Sequence, residues 1–237
     1  MNVFIVLAFL FFIGSIIGWV IELLFRRFFS AKKWINPGFL VGPYLPLYGL
    51  GVMGLFLISS LNFSFIGNDT LETILILIIM AIIMTFIEYL TGLFFLKVMN
   101  IRLWDYSDRL LNIQGLICPL FSMFWAIIGC IYYFFINPYI INALTWLSNN
   151  LAFSFVIGFF YGVLMIDVGY SFHLATKIKS FAKEHEIVVK YEKLKENVRN
   201  YIDEAKEKVH FFQPFKTAGT LKETLLRYKD KIFKEKR

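Results

Sequence analysis

Residues 3–25 read VFIVLAFLFFIGSIIGWVIELLF and carry a single charge, Glu22. A run of about 20 apolar residues is what an α-helix needs to cross ~30 Å of hydrocarbon. Two more stretches repeat the pattern: Pro43 to Leu61 has no charge, and Thr73 to Leu96 has one, Glu88. From Leu110 to Ile166 the chain is uncharged, enough for two crossings if it turns between them, and Asn137-Pro138 with Ser148-Asn149-Asn150 supplies the breakers. The expected fold is therefore an all-α polytopic membrane protein, with spans near 3–25, 43–61, 73–97, 115–136 and 151–173. The first span is not a cleaved signal peptide: no basic region precedes it, the apolar run is too long, and no small-x-small cleavage site follows.

Composition agrees. Of the 237 residues 58% are hydrophobic and only 17% charged, with a mean hydropathy of +0.66. That excludes a secreted enzyme, a collagen-like chain and a disordered protein. Cys118 and Cys130 both lie in apolar sequence, and the three His (His173, His185, His210) are dispersed, so neither a disulfide framework nor a metal site is expected.

The net charge of +7 resides wholly in the C-terminal quarter, because residues 1–173 hold seven basic and seven acidic side chains. In a five-span arrangement all 24 Lys and Arg fall on one side: Arg26, Arg27, Lys32 and Lys33 in the first basic loop, Lys97, Arg102 and Arg109 in the second, the others in the tail. Basic flanks stay cytoplasmic. The expected topology is N-terminus out and C-terminus in, with residues 1–176 as transmembrane domain and 177–237 as a basic cytoplasmic helical tail.

An ionisable side chain deep in hydrocarbon costs ~3 kcal/mol or more, so Glu22 and Glu88 each need a reason. Gly14, Gly18 and Glu22 share one helical stripe, which turns Glu22 toward protein. Glu88 lies nine residues before Lys97 and is the deeper of the two. Asp167, six residues before His173 and opposite the Gly158/Gly162 packing stripe, is expected to snorkel to the interface. Between the first two spans, residues 36–49 (NPGFLVGPYLPLYG) are apolar yet full of helix breakers. Such backbone must be buried in protein or line a cavity, since its polar groups need partners. The second basic loop gathers Trp104, Asp105, Tyr106 and Asn112 at headgroup depth. A polar cytoplasmic-side pocket for a substrate or ion is expected from Glu22, Asn36, Gly38, Tyr48, Glu88, Trp104, Asp105, Tyr106 and Asn112. The two glutamate hairpins also look like a weak parallel repeat, each with a basic loop, a Trp, an Asn and a Gly before a Pro at residues 43 and 119.

Beyond Lys177 the pattern becomes that of soluble helices. Ile187, Tyr191, Leu194, Val198, Tyr201, Ala205 and Phe212 form a coiled-coil-like seam, and Pro214 ends it. Thr220 and Glu223 then make a capping box before Leu221, Leu225, Tyr228 and Ile232. The two helices could pair with each other, lie on anionic lipid or dock a partner.

Gly18-Trp19-x-x-Glu22, Asn36-x-Gly38-Phe39-Leu40-x-Gly42-Pro43-x-x-Pro46-x-Tyr48-Gly49, Glu88-Tyr89-x-x-Gly92 and Trp104-Asp105-Tyr106 followed by Asn112-x-x-Gly115 together resemble the bacterial ABC-transporter type IV, or CmpB-like permease, family. The resemblance covers roughly residues 5–130 and leaves the tail outside it. It implies a multi-pass protein of the bacterial cytoplasmic membrane, in transport, and names no substrate. The chain has no Gly-x-x-x-x-Gly-Lys-Ser/Thr phosphate loop, so an ABC permease of this kind needs a separate ATPase subunit. The Gly14/Gly18 and Gly158/Gly162 stripes offer faces for a homodimer. The residues themselves leave three readings open: a permease; a membrane enzyme on a lipid or polyprenyl substrate with Glu88 or Asp105 as general base; and a non-catalytic scaffold acting through its tail. No cofactor and no nucleic acid is expected.

Overall fold

A computed structural model of the chain describes residues 2–29, 32, 34–204, 223 and 225–230. Among these, four helices are long and apolar enough to cross a membrane: Val3–Phe28, Asp69–Met99, Pro119–Asn149 and Leu151–Glu184. The chain is an all-α polytopic membrane protein. Helix α1 (Val3–Phe28) is capped by the Asn2 side chain, which accepts from Phe4 N, and carries Arg26 and Arg27 in its last turn, where cations complement the helix dipole. The stretch expected as the 43–61 crossing forms only a 14-residue helix, α2 (Pro46–Ser59). It opens at Pro46 rather than Pro43, because Pro46 occupies the first helical position, where a missing N–H is harmless. Helix α3 (Asp69–Met99) is capped by Asn68, whose side chain accepts from Thr70 N and Leu71 N. Along it Ile74, Ile78, Ile82, Phe86, Leu90 and Phe94 are all exposed. Spaced about every fourth residue over ~30 Å, they make a hydrocarbon-facing stripe.

The break expected at Asn137-Pro138 is not there. Helix α4 (Pro119–Ile131) passes through a π-helical segment, Tyr132–Ile136, into α5 (Asn137–Asn149) without a turn. Pro138 would press its ring on the carbonyl four residues back, and the wider π turn, in which Asn137 N–H donates to Tyr132 O, relieves it. The chain reverses instead at Asn150, whose N–H donates to Leu147 O and whose side chain donates to Trp146 O. Helix α6 (Ser154–Glu184) then runs unbroken across residue 176, where the composition changes. Helix α7 (Tyr191–Glu204) follows.

Helices α1 and α2 lie closest. A Cβ on Gly18 would strike the Tyr48 ring, and one on Gly49 would strike Ser15 and the Phe11 carbonyl. The Gly14/Gly18 stripe thus serves packing within the chain. At the basic end two short strands, β1 (Ile101–Arg102) and β2 (Val189–Lys190), pair in parallel and join the loop after α3 to the tail. A cluster of Ile101, Ile178, Phe181, Val189, Tyr191, Leu194, Leu225 and Tyr228 closes over them. Tyr191 and Leu194 of the first tail helix therefore share a core with Leu225 and Tyr228 of the second. Ile187 packs beside this core, ahead of α7. Ala205, Phe212, Pro214, Thr220, Leu221 and Ile232 lie outside the described residues, as does the Tyr201 side chain.

Candidate functional site

The broken segment between α1 and α2 is held by side chains rather than by helical hydrogen bonds. Trp19 Nε1 donates to Asn36 Oδ1 at 2.7 Å, and Asn36 Nδ2 donates to the carbonyls of Leu40 (3.2 Å) and Val41 (2.8 Å). On the other flank the Asp167 carboxylate of α6 accepts from Val41 N (3.1 Å), Gly42 N (2.7 Å) and the Tyr44 hydroxyl (2.6 Å), as well as from Ser171 (2.9 Å). Backbone donors at this depth find no water. Asp167 supplies their acceptors, which corrects its expected role as a snorkelling residue.

Two glutamates from different hairpins are each held by aromatic donors, and one ring contact joins the two groups. Glu22 of α1 accepts from Arg26 one turn on (3.0 Å) and from the Tyr48 hydroxyl of α2 (3.3 Å). Glu88 of α3 is buried and accepts from Trp125 Nε1 of α4 at 2.9 Å and from the Tyr106 hydroxyl at 3.2 Å. Both donors are neutral, and among the described residues no Lys or Arg forms an ion pair with Glu88. The Tyr48 and Trp125 rings lie 5.7 Å apart and tie the pairs together, while Tyr106 stacks on Phe121 with centroids 4.1 Å apart. Burial raises the Tyr106 phenol above its usual range, and Glu88, Glu22 and Tyr48 push it the same way. The four groups share one electrostatic neighbourhood.

The second basic loop braces Tyr106. Trp104 Nε1 donates to Leu116 O at 2.8 Å with its ring against Gly92. Asn112 donates to Arg109 O (2.8 Å) and accepts from Gly115 N (2.9 Å). Gly115 has φ +68°, and a Cβ there would strike Arg102. Asp105 bonds Arg102 at 3.0 Å, Ser107 at 2.5 Å and, across β1 and β2, Lys190 at 2.5 Å. Burial alone would raise the Asp105 carboxyl, but Lys190 and Ser107 outweigh it and hold it at about 2.

The tail enters the same end of the bundle. Lys195 of α7, almost wholly buried, donates to the carbonyls of Asn36 (3.0 Å) and Gly38 (2.9 Å) and pairs with Glu192 at 3.1 Å. Glu192 also pairs with Arg26. An alternating chain of charges, Lys195, Glu192, Arg26 and Glu22, thus runs from the tail to Tyr48. Burial pulls the Lys195 ammonium below its ordinary range against the opposing effect of Glu192. Glu192 moves down as well, since Lys195 and Arg26 overcome its burial.

Of the nine residues expected to line the pocket, the structure pairs Glu22 with Tyr48 and Glu88 with Tyr106 by hydrogen bonds. Trp104, Asp105 and Asn112 are spent on shaping a loop, and Asn36 and Gly38 present carbonyls to the tail. Gly158 and Gly162 have nothing within 4 Å of a Cβ position and face outward. Sequence reasoning missed Trp125, Asp167 and Lys195. Only Asp167 left a signal: the unpaired N–H groups of residues 36–49 called for an acceptor from elsewhere. Among the described residues no three His, Cys, Asp or Glu side chains lie close enough together to hold a metal ion.

A family model described as "Putative ABC-transporter type IV" matches residues 9–172, which takes in α1 through most of α6 and every helix that carries the two glutamates and Asp167. No curated protein and no solved structure matches the chain.

Proposed function

Because the chain belongs to the ABC-transporter type IV family, we propose that it is the membrane subunit of an ABC-type transporter, with its substrate path at the basic end of the bundle. The observation that carries this reading is that two carboxylates from separate hairpins, Glu22 bonded to Tyr48 and Glu88 bonded to Tyr106 and Trp125, are joined through the Tyr48–Trp125 ring contact. A carboxylate in hydrocarbon costs ~3 kcal/mol or more unless it is used or paired, and among the described residues no Lys or Arg forms an ion pair with Glu88. Its hairpin is one loop from the basic end, and the charge rule places that end in the cytoplasm. On this reading the protein is a multi-pass component of the bacterial cytoplasmic membrane, residues 1–176 spanning it and 177–237 lying inside. A separate ATPase subunit supplies the energy, since this chain has no phosphate loop. The outward-facing Gly158 and Gly162 offer a face for a second copy.

The enzyme reading loses support because Asp105 is engaged by Arg102, Ser107 and Lys190, and both oxygens of Glu88 are taken by hydrogen bonds. The scaffold reading loses support because the tail is tied to both basic loops.

Mild affinity purification from native membranes, with mass spectrometry of what accompanies the chain, tests the proposal. A stoichiometric nucleotide-binding ATPase is the expected companion. Glu88→Gln should keep that companion yet lower substrate-stimulated ATP hydrolysis at least tenfold. Purification with no ATPase under several mild detergents would sink the transporter reading.

A further inference from the structure

The carbonyl oxygens of Asn36 and Gly38 converge on one point at the basic end, and the Lys195 ammonium fills it. An ammonium has three N–H donors. Here it meets three acceptors, Asn36 O at 3.0 Å, Gly38 O at 2.9 Å and Glu192 Oε1 at 3.1 Å. The Tyr191 ring adds a face 5.0 Å from the nitrogen, a distance at which a cation and an aromatic ring attract. The separations are those of N–H···O bonds rather than of a metal ion and its oxygens, which lie at about 2.3–2.6 Å for calcium.

The receiving half of this arrangement is built without the tail. Gly38 sits at φ +83°, which turns its carbonyl beside that of Asn36, and a Cβ there would strike Leu45. The Asn36 side chain is pinned by Trp19 and in turn clamps Leu40 and Val41, while Asp167 fixes Val41 and Gly42. The carbonyl pair is therefore pre-organised for a small cation with several N–H donors.

We infer that Asn36-Pro37-Gly38 is a primary-ammonium site in which Lys195 is a tethered occupant, and that a free primary amine competes with α7 for it. The amine comes either from a soluble alkylammonium compound or from an ethanolamine lipid headgroup, which offer the same three donors. Because Glu192 bridges Lys195 to Arg26, and Arg26 reaches Glu22, displacement of Lys195 frees Glu192 and shifts Arg26 toward Glu22. Tail docking and the state of the glutamate site are thereby linked. The inference does not depend on transport, so its failure leaves the search for an ATPase partner unaffected.

The test uses the full-length protein in nanodiscs of phosphatidylcholine. Lys195→Ala removes Cγ, Cδ, Cε and Nζ and so opens a space the length of a propylammonium ion beside intact acceptors. Titration calorimetry should show saturable binding of n-propylammonium to this variant, at least tenfold tighter than to the wild type. Tetramethylammonium, which has the charge without the donors, should not bind, and Lys195→Met, whose side chain refills the space, should not bind either. Nanodiscs containing phosphatidylethanolamine should abolish the calorimetric signal if the lipid headgroup is the source, and leave it in place if a soluble amine is. No saturable binding to Lys195→Ala, or equal binding of tetramethylammonium, overturns the inference. Should Lys195→Ala fail to fold, hydrogen exchange of the wild type decides: n-propylammonium must speed exchange in residues 189–198 several-fold more than tetramethylammonium does, and equal effects overturn it.

Discussion

Changing Asp167 to Asn replaces one acceptor oxygen with an N–H2 group and turns it against backbone donors that have nowhere else to go. Losing hydrogen bonds of this charged kind costs ~1.5–3 kcal/mol, and the donors at Val41, Gly42 and Tyr44 all converge there. Asp167→Asn should therefore lower the melting temperature in detergent and speed amide exchange in residues 41–45, whereas a snorkelling residue would tolerate the change. Gly18→Ala is a second test at this scale: its methyl group meets the Tyr48 ring, and overpacking of this kind costs ~1–3 kcal/mol, readable as a lower midpoint of thermal unfolding with α1 and α2 loosened together. Glu22 and Glu88 were legible in the sequence because a charge amid apolar residues is expensive wherever it points. Trp125 was not, since an indole in an apolar helix looks like any other hydrophobic residue until its N–H is seen on Glu88. Lys195 was hidden among many tail lysines, and the carbonyls it bonds lie more than 150 positions away.

At the scale of elements, the run from Pro119 to Asn149 shows what periodicity leaves open. A proline after asparagine ordinarily marks the end of a helix, yet here the π turn absorbs it and the reversal waits for Asn150. No spacing rule distinguishes those outcomes, because continuing the helix past the proline also carries Tyr132 into the core that holds Leu55, Met80 and Trp125. Pro138→Ala should let residues 132–138 relax toward regular α-helix. A proline inside a regular helix costs ~3 kcal/mol or more, so removing it should give slower amide exchange across that segment. Unchanged exchange would show that the π turn is held by packing and not by the proline. The broken segment before α2 was legible in kind, since its breakers demand burial. Its register, with the helix beginning at Pro46, followed from Leu45 N–H reaching Ser15 O across to α1, a contact no local pattern announces.

For the molecule as a whole, the closing of the tail onto the loops depends on ion pairs and so on pH. Asp105 titrates at about 2 when docked against an ordinary value of 3.8, so the undocked form takes up the proton first. Its contribution is complete above the ordinary value and is lost as pH falls through about 2. Hydrogen exchange of β2 and α7 should quicken between pH 4 and pH 2, and Asp105→Asn should remove that dependence while loosening the tail at neutral pH. The membrane itself feels another feature. Helix α2 has 14 residues and shows Leu50 and Leu57 on its outer flank. It rises only ~21 Å, against ~30 Å of hydrocarbon, so lipids along that flank must compress or tilt to meet it. A flank this short is expected to strain the lipid beside it, and the midpoint of unfolding should climb as acyl chains shorten from eighteen carbons toward about fourteen. A chain of this shape is an elastic defect with a direction, and any neighbour with an equally short flank would be drawn to that side of it.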